Sequence, residues 1–100
     1  MIIDLDKYID RTIDFKIDGK VVKVKELTPG LFKKVSDYEI TEDPREVYTK
    51  QVELVVEMLN RNNSNIVFNV EDIDKLPQSL VNKIYISVVQ FTKEPLNDPN

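Results

Sequence analysis

Apolar and polar residues alternate over residues 13–18 and again over 22–25, then change to a helical spacing. Ile13, Phe15 and Ile17 interleave with Asp14, Lys16 and Asp18, and Val22 and Val24 interleave with Lys23 and Lys25. A period of two marks a half-buried strand. The dipeptide between the two runs, Asp18-Gly19, suits a type I′ turn, whose two central residues need positive φ. A two-residue turn fixes the register. Phe15 then faces Val22 and Ile13 faces Val24 on one side, while Asp14 faces Lys23 on the other. Such cross-strand pairs contribute ~0.2–1 kcal/mol each. The pattern predicts a hairpin with strands at 12–17 and 20–26.

Helix signals follow at once. Thr28 is placed as an N-cap, Pro29 takes the first helical position, and Leu27 and Phe32 stand where a hydrophobic staple needs them. On the helix predicted at 29–39, Leu31, Phe32, Val35 and Tyr38 form one stripe, expected to cover the apolar face of the hairpin. Upstream, Leu5, Tyr8 and Ile9 have i, i+3, i+4 spacing with Asp4 as cap, predicting a short helix or turn within 2–10. Asp43-Pro44 opens a helix to about residue 60, with Glu46 at the capping-box position and Glu46/Lys50 and Glu57/Arg61 spaced as i, i+4 pairs. Its apolar positions, from Val47 to Leu59, spread over roughly 200°, twice the stripe of a one-sided surface helix. It is therefore either shared between core and interface or, the reading favoured here, the central helix.

Asn60–Asn65 makes a polar loop, Ile66–Val70 an extended segment, and Asn69 caps a short helical turn at 70–75. Pro77 begins the last helix, 77–92, with Leu80, Val81, Ile84, Tyr85, Val88 and Phe91 inward. Ile86 and Val89 fall on the far side among Asn82, Lys83 and Gln90. Two β-branched residues on a wet face make Ile86 and Val89 the candidate protein-binding residues. The expected fold class is α+β: an N-terminal β-hairpin packed on a small bundle of three main helices. One compact domain, 1–94, would be followed by a flexible C-terminal tail, 95–100.

Composition narrows the chemistry. The 100 residues carry a net charge of −4 and contain no cysteine, histidine or tryptophan and only two glycines. Common nucleophile–base pairs, thiolate metal sites and phosphate loops built on repeated glycines therefore lack their parts, and neither an enzyme nor a cofactor is expected. Asp14, Asp18 and Gly19 are spaced like the start of a calcium loop, but lysines occupy the third and twelfth positions as Lys16 and Lys25, where oxygen ligands are required. No apolar run reaches the ~20 residues of a membrane span. The acidic start, Met-Ile-Ile-Asp-Leu-Asp, differs from a basic signal-peptide start, which predicts a cytoplasmic protein. The six lysines between residues 16 and 34 read as a solvated, aggregation-resistant edge before they read as a nucleic-acid surface.

Three stretches together resemble a known family. They are Phe15-Lys-Ile-Asp-Gly-Lys-Val-Val-Lys-Val-Lys-Glu-Leu-Thr-Pro-Gly-Leu-Phe32, the Asn-rich joint Leu59-Asn-Arg-Asn-Asn63, and Phe68-Asn-Val-Glu-Asp-Ile-Asp-Lys-Leu-Pro77. Spread over residues 12–92, they resemble the tail assembly chaperones of long-tailed bacteriophages and prophages. The resemblance implies a non-enzymatic protein of the host cytoplasm, absent from the mature virion. Such a protein binds the tape measure protein, keeps it soluble, helps recruit tail tube subunits and tends to self-associate. A longer form made by frameshifting is also implied by the family. The alternative is a small phage or bacterial protein-binding adaptor without an assembly role. A third reading, a regulator contacting nucleic acid through the hairpin lysines, would show itself by salt-dependent binding to DNA or RNA.

Overall fold

The computed structural model describes residues 1–95. The expected tail at 95–100 lies, from residue 96 onward, outside the described residues. The fold is α+β, an N-terminal antiparallel hairpin followed by helices.

Strands β1 (Thr12–Ile17) and β2 (Lys20–Lys25) pair in the register set by the turn, with Phe15 opposite Val22, Ile13 opposite Val24 and Asp14 opposite Lys23. Asp18 at φ 51° and Gly19 at φ 79° supply the two positive dihedrals that a type I′ turn requires. On the solvent face Lys23 Nζ lies 3.5 Å from Asp14 Oδ2. On the inner face Val22 and Val24 are buried, whereas Ile13, Phe15 and Ile17 are only half-buried. The outer edge of β2 is covered at Lys23 and Lys25 by the Asn-rich joint: the Lys25 N–H donates to Arg61 O at 2.8 Å and the Asn63 N–H to Lys23 O at 2.9 Å. The Lys23 N–H donates to Ser64 Oγ at 3.1 Å.

Helix α1 (Asp6–Ile9) is a single turn, with Asp4 Oδ1 accepting from the Asp6 N–H at 3.0 Å. Helix α2 (Pro29–Glu39) starts at the expected cap, Thr28 Oγ1 accepting from the Leu31 N–H at 3.2 Å. Helix α3 (Pro44–Asn60) is capped by Asp43, which accepts from the Arg45 N–H at 2.9 Å, one residue short of the box position. A reciprocal capping box forms instead on α4 (Val70–Asp74), where Asn69 and Asp72 exchange hydrogen bonds of 2.9 Å. Helix α5 (Gln78–Lys93) completes the described chain.

The central helix is α3. It packs against α2, α4, α5 and β2, which is why its apolar arc is so wide. α2 approaches α3 most closely, and its stripe residues Leu31 and Val35 share one buried cluster with Val22 and Val24 of β2, with Phe32 and Tyr38 packed against it. The i, i+4 pairs on α3 are replaced by contacts between elements. Glu57 Oε1 accepts from Lys34 Nζ at 2.6 Å, Lys50 Nζ donates to Thr41 Oγ1 at 3.0 Å, and Arg61 Nε donates to Glu26 O at 3.2 Å.

Candidate protein-binding surface

The two residues singled out on α5 have different environments. Ile86 is 47% exposed, but Val89 is 8% exposed and belongs to the core. Val89 is therefore corrected to a packing residue. At 100° per residue the buried positions Val81, Ile84, Tyr85, Val88 and Val89 span about 140°, wider than a one-sided stripe. Val89 lies just beyond Tyr85 on this arc, and Ile86 lies about 60° further round. Of the two, Ile86 alone is exposed.

A denser run of exposed apolar side chains lies at the N-terminus. Ile2, Ile3, Leu5, Tyr8 and Ile9 are all exposed, from 45% at Tyr8 to 95% at Ile2. The i, i+3, i+4 set expected to hold a short helix does lie at α1, yet no α1 residue is buried. This arm approaches the body near the open end of the hairpin, where Tyr8 and Ile9 share a shallow cleft with Leu27, Pro29 and Arg61. At the turn end of the hairpin, Ile17, Val22, Phe68, Ile73 and Leu76 line a groove of ≈ 310 Å³. Val67, 85% exposed, lies at the same groove.

Arg11 fastens the arm to the body. Its guanidinium donates from Nη1 to Glu94 O and from Nη2 to Phe91 O, both at 2.9 Å. It sits 4.2 Å from the centroid of the Phe91 ring, and Nη1 lies 3.5 Å from Glu26 Oε1. One planar fork thus bonds two carbonyls at the C-terminal end of α5, where Phe91 O also accepts from the Glu94 N–H at 3.2 Å, and places a cation where the helix dipole favours it. Sequence reading missed Arg11. The available signal was a lone arginine immediately before a strand, which names no partner 80 residues away.

The polar groups inside the body are structural. Gln51, 3% exposed, donates to Asn82 Oδ1 at 2.6 Å and accepts from Gln78 Nε2 at 2.7 Å, tying α3 to α5. The Tyr85 hydroxyl donates to Glu39 Oε1 at 3.0 Å, and its ring meets Tyr38 edge-on at a centroid distance of 5.1 Å. Burial first, then the hydrogen bond and charge of Glu39, push the Tyr85 hydroxyl well above its ordinary value of 10.0. Asn62 spans the joint: its Nδ2 donates to Leu59 O at 2.7 Å and Ile66 O at 2.8 Å, and its Oδ1 accepts from the Ser64 N–H at 2.8 Å. Asn62 and Ser64 thus serve to turn the chain and hold it against β2.

Comparison of the chain with protein-family models, curated proteins and solved structures finds no match in any of the three.

Proposed function

We propose that the chain is a non-enzymatic tail assembly chaperone that binds the tape measure protein of its phage, keeps it soluble and helps recruit tail tube subunits. The observation that carries the binding role is the N-terminal arm. Six large apolar side chains among the first nine residues stay exposed on a segment followed by Arg11, which bonds the folded body. Exposed apolar side chains clustered this densely mark a contact site. A long helical partner suits it, since an amphipathic helix offers an apolar stripe to complementary apolar surface. The sequence resemblance over residues 12–92 supplies the identity of that partner.

The test is co-expression with the tape measure protein encoded beside it. Leu5→Lys together with Ile9→Lys should leave folding within about 0.5 kcal/mol of wild type, because both positions are exposed. The same pair should abolish solubilisation of the partner, since an apolar contact would have to bury two ammonium groups. Full rescue by the folded double variant would remove the arm from the binding role. Failure of the wild-type chain to solubilise any tape measure protein would favour the adaptor reading.

A further inference from the structure

From the unpaired edge of β1 we infer that the chain forms a two-fold dimer in which the β1 strands of two copies pair antiparallel. The result is a four-stranded sheet in the order β2, β1, β1, β2. This inference stands apart from the function proposed above and survives its failure.

The edge is available. Among the described residues β1 pairs with β2 and with no other strand. With a two-residue turn, Ile17–Lys20, Phe15–Val22 and Ile13–Val24 are the hydrogen-bonded pairs, so the N–H and C=O groups of Thr12, Asp14 and Lys16 face outward. On β2 the outward groups of Lys23 and the Lys25 N–H are bonded to the joint at 61–64, which leaves those of Val21, beside the turn, as the outward pair without a bond on that side among the described residues. Among the described residues, those of β1 make no backbone hydrogen bond.

Charge selects both the occupant and the register. When β1 is laid antiparallel against itself about Phe15, Asp14 falls opposite Lys16 of the second copy, and Lys16 opposite its Asp14. Both positions carry outward backbone groups, so they form hydrogen-bonded pairs with opposite charges on the solvent face. On the other face Phe15 meets Phe15, and Ile13 meets Ile17. These three side chains are left half-buried in the single chain, and the pairing covers them. Sliding the register by two residues either way places Asp14 on Asp14 or Lys16 on Lys16. The self-complementary arrangement is therefore confined to one register.

Sedimentation equilibrium from micromolar to millimolar chain concentration tests the dimer. Wild type should associate to a dimer. Lys16→Asp should weaken it roughly ten- to a hundredfold, because two symmetry-related pairs change from attraction to repulsion. Lys16 is exposed and lies opposite Val21, so the monomer loses no cross-strand ion pair. The swap D14K/K16D/K23D restores opposite charges within and between copies and should restore the dimer. Because the chain contains no cysteine, Phe15→Cys reads the register directly. Two copies should link by a disulfide under mild oxidation, since non-hydrogen-bonded pairs have Cα atoms about 4.5 Å apart. Val21→Cys on β2 should not link. A wild-type monomer at every concentration would overturn the inference. So would a dimer indifferent to Lys16→Asp, or a disulfide at Asp14→Cys in place of Phe15→Cys.

Discussion

Replacing Arg11 by alanine is the sharpest probe of how the N-terminal segment is held. The side chain is 11% exposed, so its charge is largely withdrawn from water and its bonds are poorly screened. Two hydrogen bonds of 2.9 Å are lost, to Glu94 O and Phe91 O. Bonds from a charged donor contribute roughly 1.5–3 kcal/mol each in the general case, and the stacking on Phe91 about 0.5–1 kcal/mol. These contributions do not add, because one cation makes all of them and Glu94 can take water in its place. A net loss of about 2–3 kcal/mol is expected. At ~4–8 °C per kcal/mol for a domain of this size, the melting temperature should fall by about 10–20 °C. Urea denaturation followed by far-ultraviolet circular dichroism measures the loss, and hydrogen exchange should show faster opening at the end of α5 and in β1. Arg11→Lys keeps the charge without the planar fork and should recover less than half of the loss. A loss below about 0.5 kcal/mol for Arg11→Ala, the range of ordinary surface changes, would refute the clamp. Full recovery by lysine would refute the role of the fork.

Two further predictions follow from the same packing. Val89→Lys should destabilise the fold by about 3 kcal/mol or more, because it places a charge in the core, whereas Ile86→Lys should stay within about 0.5 kcal/mol; equal effects in chemical denaturation would mean the α5 arc is wrongly placed. The raised Tyr85 hydroxyl makes the folded state hold its proton longer than the unfolded chain does, so its contribution is complete below the ordinary value of 10.0 and declines as pH rises above it. Tyr85→Phe should flatten that decline in melts taken from pH 8 to pH 11, and an unchanged slope would remove Tyr85 as its source.

The hairpin was legible in the sequence because its signals are local and agree. Alternation, an Asp-Gly turn and the Asp14–Lys23 pair all lie within fourteen residues, and the register follows from the turn alone. The starts of α2 and α3 were legible for the same reason, since a cap and a following proline act on the next turn of backbone. What was hidden depended on contacts remote in sequence. Val89 reads as exposed on a helical wheel only if the buried arc of α5 is narrow, and its width is set by the packing around the helix. Arg11 and Gln51 are polar residues whose roles lie in elements 80 and 31 residues away. The N-terminal arm shows the opposite case. Its spacing is helical, but one turn of helix with no buried side chain is held by Arg11 beyond its end.

The Asn-rich joint at 61–64 does more than turn the chain. By occupying the outer side of β2 at Lys23 and Lys25 it leaves β1, among the described residues, as the one long open side where a bare hairpin would have two. A strand pair with two open sides can add copies without end, which is the route to a cross-β fibre. With one side closed, each molecule has a valence of one for strand addition, and the contact is spent once it is made. The asparagines that read as a loop therefore act as a chain terminator for sheet growth. A chain with valine-rich strands can thus keep an adhesive edge in solution without the hazard of polymerising through it.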